Sequence, residues 1–225
     1  MSVRNLDKLF NPGSVALIGA TPRPGSVGAV ILRNLRRAGF AGELMLVNPH
    51  HRTIDGLPVH PNVASLQRVP DLAVIATPAE TVPSLIGELG ERGTRAAVII
   101  TAGFGELGAR GLTLQQAALD AAKPHLLRIV GPNCVGIMVP RLGLDATFSH
   151  LAALAGDIAF LSQSGAMMAP STCQVGLVGC GRLAVGIGFI ANPCNRFRPR
   201  SRIFGSWKLY ARRQRRDRGE GGRGY

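Results

Sequence analysis

The chain has 225 residues, 46% of them apolar and 5% aromatic, which is enough for one large or two modest α/β domains and suits parallel strands buried under helices. Its formal net charge of +13 sits mostly in a tail: residues 196–225 hold eleven Lys/Arg against two Asp/Glu, a net of +9, and residues 1–195 keep only +4, so the body carries no specific nucleic-acid signature. There is no charged start before an apolar stretch and no run of eighteen uninterrupted apolar residues, and Cys134, Cys173, Cys180 and Cys194 form no CxxC pair, so a signal peptide, a membrane span and zinc are not expected and a cytoplasmic location is.

In chain order, the apolar runs predict strands at Val15–Ile18, Leu44–Val47, Leu72–Ala76, Ala97–Thr101 and Leu127–Val130. Helical stretches are predicted between them at Val27–Ala38, Ala79–Gly90 and Leu112–Ala122. This alternation predicts a doubly wound, parallel α/β sheet of Rossmann type over residues 8–137, with ligands at the carboxyl ends of the strands. A connector with Pro140, Gly143 and Gly156 spans 138–156. The strand Ile158–Leu161 then opens a second, flavodoxin-like unit over 157–191, which is read as incomplete because Pro170 breaks the helix that Gly165 starts. From 192 to 225 the chain loses hydrophobic period and becomes a basic tail. An RNA-binding tail is one reading of that segment; the abrupt change in composition favours a shifted reading frame or a damaged end.

Three strand ends share one grammar: an apolar strand, then small or hydroxyl residues with glycine, then a helix or turn. They are Gly19 to Gly28 after the first strand, Gly131-Pro132-Asn133-Cys134, and Ser162-Gln163-Ser164-Gly165. The first turn of a helix offers unpaired N–H groups and the positive end of the helix dipole, and glycine lets an anion approach the backbone. The Ser162 to Gly165 turn taken alone reads first as an N-cap. Together the three turns point to a polyphosphate ligand.

The first loop is not GxGxxG. A NAD-binding domain would also end its second strand in Asp or Glu to hold the ribose hydroxyls. Here that position reads Asn48-Pro49-His50-His51-Arg52, a polar and partly cationic cluster suited to a ribose phosphate. The residues thus fit the 3′-phospho-ADP part of coenzyme A, or NADP. An NADP oxidoreductase also needs a hydride site, and the sequence presents none.

The ordered segments FNPGSVALIGAT, PRPGSVG, LVNP, DLAVIATPAETVP, AVIITAGFGE, GPNCVGIMVP and FLSQSGAM resemble the NDP-forming acyl-CoA synthetases across residues 8–168. That family includes ADP-forming acetyl-CoA synthetase, the succinyl-CoA synthetase α subunit and synthetase-like bacterial lysine acetyltransferases. The resemblance implies that Thr21, Arg23, Gly25, Ser26, Val27 and Gly28 wrap the CoA phosphates, with Thr21 where the family usually has Ser. It implies that Asn48 and His50 lie where members often carry a lysine, and that Ile100, Thr101 and Ala102 lie beside the pantetheine. It places Asn133 and Cys134 near the thioester end of CoA, and Ser162, Gln163, Ser164 and Gly165 at the helix start that receives a phosphohistidine's phosphoryl group.

The implied role is that of a CoA-binding α-type module, with coenzyme A as cofactor and a β-type, nucleotide-grasp subunit as partner. The family reaction interconverts acyl-CoA, phosphate and NDP with the free acid, CoA and NTP. None of His50, His51, His60, His125 or His150 follows the SQSG turn, and no nucleotide-grasp domain is recognised, so no catalytic residue is assigned and the module is expected, as truncated or frameshifted, to be inactive alone. A non-catalytic CoA-binding or regulatory protein, or the synthetase-like part of a lysine acetyltransferase, are the alternative readings.

Overall fold

The computed structural model of the chain describes residues 4–156 and the strands at 158–162 and 183–189. Its first half runs α1 (Leu6–Phe10), β1 (Ser14–Ile18), α2 (Val27–Arg37), β2 (Glu43–Val47), β3 (Thr53–Ile54), β4 (Leu57–His60) and β5 (Leu72–Ile75). Then come α3 (Val82–Arg92), β6 (Ala96–Ile99), α4 (Ala109–Ala122), β7 (Arg128–Val130), β8 (Cys134–Val139), β9 (Leu144–Thr147), β10 (Ile158–Ser162) and β11 (Leu183–Phe189).

Seven strands form one sheet in the order β3-β4-β2-β1-β5-β6-β7, parallel throughout except for the β3–β4 pair. The doubly wound α/β sheet expected from the alternation is the one observed. After Ser14, β1 is apolar without interruption because both of its faces are covered, and all five of its residues are buried. Val15 and Leu17 pack with Ile31, Leu32 and Leu35 of α2 on one face. Ala16 and Ile18 pack on the other face with the layer that contains Ile86 and Leu89 of α3 and Ala118 and Ala122 of α4. The chain leaves β1 toward β2 on one side and returns through β5 on the other, so the switch point lies between the ends of β1 and β5.

The region read as a connector contains more structure than that. β8 and β9 pair as an antiparallel hairpin, turned by Pro140–Leu142 and Gly143. Ile137, Val139, Leu144 and Ala146 from this hairpin enter the same core as Val15 and Leu17. It therefore covers the α2 side of the sheet where a further helix would otherwise be needed. α2 grips it through Asn34, fully buried, whose amide donates to the carbonyls of Thr147 at 2.9 Å and Ser149 at 2.7 Å. Asp145, buried beside Arg37 at 3.7 Å, accepts the Thr147 hydroxyl at 2.7 Å. Burial pushes its carboxyl above the ordinary range, against the opposing pull of Thr147 and Arg37. Short strands interrupted by Gly136 and Pro140 leave little period-2 signal, which is why sequence pattern passes over them.

The hairpin continues into a second sheet of order β10-β11-β8-β9, with β10 and β11 parallel. Gln163, Ser164, Gly165, Pro170 and the basic tail 192–225 lie outside the described residues, as does most of the expected second unit.

Candidate functional site

The carboxyl edge of the sheet is laced into one rim by hydrogen bonds between successive strand ends. The Gly19 N–H donates to Val47 at 2.9 Å, Ala76 to Ile18 at 2.9 Å, Ile100 to Ile75 at 3.0 Å and Asn133 to Thr101 at 2.9 Å. The rim thus joins five segments that are far apart in sequence: the first loop, the end of β2, the end of β5, the end of β6 and the turn after β7.

The first loop is shaped by two glycines. Gly19 takes φ +94°, and a Cβ there would run into the Ala76 carbonyl oxygen. A Cβ on Gly28 would meet the Gly19 carbonyl oxygen, so the first turn of α2 sits directly on the loop that leads to it. Ser26 caps α2: its hydroxyl donates to the Arg23 carbonyl at 2.7 Å and accepts from the Ala29 N–H at 3.4 Å. The Thr21 hydroxyl accepts from the Arg23 N–H at 3.3 Å, so both hydroxyls of the loop fold it onto itself. Gly25, at φ +76°, has nothing within 4 Å of where a Cβ would be. Arg23 is exposed, and its guanidinium has no hydrogen-bond or ion-pair partner among the described residues. Val27 is 42% exposed at the same helix start. The result is an open loop at a helix start, with an exposed cation that is unpartnered among the described residues, suited to a phosphate-bearing ligand.

Of the residues expected after β2, Asn48 is a brace. Its amide donates to the Ala20 carbonyl at 2.7 Å and its oxygen accepts the His50 N–H at 2.8 Å, tying the second loop to the first. The His50 side chain is exposed beside it, with Arg52 exposed two residues on.

At the end of β6, Ile100 is buried, Ala102 is exposed, and the Thr101 hydroxyl donates to the Thr77 carbonyl at 2.7 Å. The turn after β7 brings Asn133, at φ +53°, onto the rim through its own N–H. Cys134 goes the other way: it is 0% exposed, with its thiol against the Ile99 carbonyl at 3.3 Å. Burial pushes that thiol up to about 12, which leaves no thiolate at neutral pH. Its side chain belongs to the core, and the turn can meet a ligand only through its backbone and Asn133. Ser162 closes β10, in the second sheet.

Sequence reading passed over Thr77 and Thr81. The Thr81 hydroxyl lies 2.9 Å from the Thr77 hydroxyl and 2.7 Å from the Pro78 carbonyl, which folds the β5 loop onto itself beside Gly19. Their signal was the TPAE segment directly after a buried strand at the switch point. Among the described residues no His/Cys/Asp/Glu group is placed to hold a metal ion, and no helix is long and apolar enough to cross a membrane.

With this geometry in view, the likenesses to known proteins fall into one pattern. The chain is 42% identical over 163 residues to ADP-forming acetate–CoA ligase I of Archaeoglobus fulgidus, an alignment covering 72% of this chain and 24% of that protein. It is 38% identical over 167 residues to the α subunit of ADP-forming acetate–CoA ligase I of Pyrococcus furiosus, covering 72% and 36%. An acetyl-coenzyme A synthetase 1 from Ca. Korarchaeum cryptofilum, solved with phosphate and ADP, superposes with a TM-score of 0.77 at 34% identity, covering 83% of this chain and 39% of that one. The chain therefore spans between about a quarter and two fifths of the length of these relatives. Residues 13–140, more than half of the chain, match the family described as CoA binding domain, and the protein belongs to that family: it carries a coenzyme A-binding domain.

Proposed function

We propose that the chain is the CoA-holding, α-type module of an NDP-forming acyl-CoA synthetase, working with a β-type nucleotide-grasp partner. The observation that carries this reading is the first loop: Gly28 packed under Gly19, Gly25 open, and Arg23 exposed and unpartnered among the described residues. In it the N–H groups at the start of α2 and the Arg23 guanidinium hold the CoA pyrophosphate. His50 and Arg52 face the ribose phosphate, Val27 offers apolar surface, and the pantetheine runs along Ile100, Thr101 and Ala102 toward Asn133. Thr21, Ser26 and Asn48 hold the loop in the shape that does this.

In the same reading the Ser162 to Gly165 turn receives the phosphoryl group, its hydroxyls and helix-start N–H groups stabilising the anion. Between Gly165 and Tyr225 there is no histidine to carry phosphate between acyl phosphate and NDP.

Calorimetry tests the binding half. CoA is expected to bind more tightly than 3′-dephospho-CoA, NADP or NAD; preference for NADP, or no CoA binding, overturns it. Adding a β-type partner and following NTP formation from acyl-CoA, phosphate and NDP tests the synthetase half. CoA binding without partner-dependent turnover assigns the chain to a non-catalytic CoA-binding role instead.

A further inference from the structure

The segment that leaves β6 is anchored on either side by distant parts of the fold. Before it, the Ile100 N–H donates to the Ile75 carbonyl at 3.0 Å and the Thr101 hydroxyl donates to the Thr77 carbonyl at 2.7 Å. After it, Phe104 is fully buried in the layer that holds Ile86, Leu89, Ala118 and Ala122, and a Cβ on Gly111 of α4 would strike the Phe104 carbonyl oxygen. Between these anchors stand Ala102, exposed, and Gly103, at φ +108°. Glycine has the widest backbone freedom of any residue, so the anchors alone leave this stretch free to turn. Glu106 takes that freedom away. Three residues on, in the turn Gly105–Leu107, its carboxylate accepts the Gly103 N–H at 2.5 Å, a charge-assisted bond of the stronger kind.

As a device for closing a turn this is costly. One oxygen, Oε1, takes the Gly103 N–H, while Oε2 is buried and has no hydrogen-bond partner among the described residues. A buried acceptor without a partner costs stability, and a short Asn or Ser side chain closes such turns without one. What the carboxylate does achieve is to fix the amide directly after Ala102, the last residue of the stretch given above to the pantetheine. The nucleotide end of the site is built elsewhere. In the sheet β6 stands two strands from β1 and three from β2, or about 10 and 14 Å at the usual strand spacing. With Ile100, Thr101 and Ala102 as the pantetheine path, as proposed above, we infer that Glu106 is a positioning residue of the CoA site: through the Gly103 amide it sets the path of the pantetheine arm and leaves the nucleotide end untouched.

Calorimetry of the full chain with two ligands tests this: CoA, and adenosine 3′,5′-bisphosphate, which keeps the ribose phosphate but lacks the pantetheine arm. Glu106→Ala should weaken CoA about tenfold and leave adenosine 3′,5′-bisphosphate within about twofold of the parent. Glu106→Gln, whose amide oxygen can still accept the Gly103 N–H, should restore most of the CoA affinity. Glu106→Asp, which keeps the charge but falls one methylene short, should not. If the alanine variant fails to unfold cooperatively, the difference between the Gln and Asp variants toward CoA, absent toward the bisphosphate, carries the same test. CoA affinity unchanged in Glu106→Ala, equal weakening of both ligands, or Gln and Asp variants that bind CoA alike overturns the inference. A parent that binds the bisphosphate as tightly as CoA draws nothing from the pantetheine, and overturns the pantetheine path together with the role of Glu106.

Discussion

At the end of β1 the chain leaves the sheet through Gly19, runs over an exposed loop and re-enters structure at the Ser26 cap of α2. At the end of β7 it makes a glycine turn of similar composition, Gly131 to Cys134, and passes straight into the buried hairpin strand β8. The two turns read alike as strand ends able to meet a phosphate-bearing ligand, and they are built differently. In the first, close packing is confined to Gly19 and Gly28 at the base, while a Cβ on Gly25 would meet nothing within 4 Å. In the second, a Cβ on Gly131 would strike the Ile99 carbonyl oxygen and lie 3.2 Å from the Cys134 sulfur. An open turn can change its side chains and alter only ligand affinity; a turn welded to the core answers first in stability.

The hardest test of that contrast is Gly28→Val, which forces a branched side chain against the Gly19 backbone, a contact neither segment can relieve by a rotamer change. It is expected to cost about 3 kcal/mol and to remove CoA binding, read by thermal unfolding and calorimetry. A folded variant that binds CoA normally would show that the base of the loop is not what shapes the site.

Cys134→Ser breaks the comparison from the other side. It sets a hydroxyl where a buried thiol stood, with an expected loss of about 1–3 kcal/mol and CoA affinity unchanged. The buried thiol also makes a signed pH claim, because its folded value of about 12 lies above that of a free cysteine. The folded state thus retains a proton that the unfolded chain gives up, so this contribution is complete below the unfolded thiol's value and is lost as pH climbs toward about 12. The stability of Cys134→Val should therefore fall less than that of the parent over the alkaline range. Parallel alkaline curves would refute the assignment.

Ser26→Ala is expected to lose about 1 kcal/mol of stability with the cap. CoA affinity should fall several-fold because the first N–H groups of α2 lose their fixed direction. The smallest effect on folding belongs to Arg23→Gln: no change in thermal unfolding, and CoA binding weakened about tenfold at low ionic strength, the difference shrinking as salt is added. A salt-independent deficit would mean that Arg23 acts through loop shape and not through charge.

Much of this was legible residue by residue. The uninterrupted apolar runs at Val15–Ile18 and Leu72–Ala76 named buried parallel strands, observed as Ser14–Ile18 and Leu72–Ile75. The hydroxyl and glycine pattern from Thr21 to Gly28 marked the first loop; that Ser26 caps the helix after it came from the structure. What could not be seen was direction. Nothing near Cys134 in the chain tells that Ile99, 35 residues earlier, will receive its thiol. Nor does the sequence around Asn48 reveal that its amide will be taken up by Ala20, 28 residues earlier.

The sequence by itself determined the strand–helix alternation, the ordered motifs and the polyphosphate grammar of the strand ends, because these depend on hydrophobic period and turn chemistry within a few neighbouring residues. Only the tertiary structure decided which glycine turn opens to solvent, that β8 and β9 cover one face of the sheet, and that Cys134 turns into the core. Burial depends on what distant segments bring to the same place, and local pattern carries no record of it.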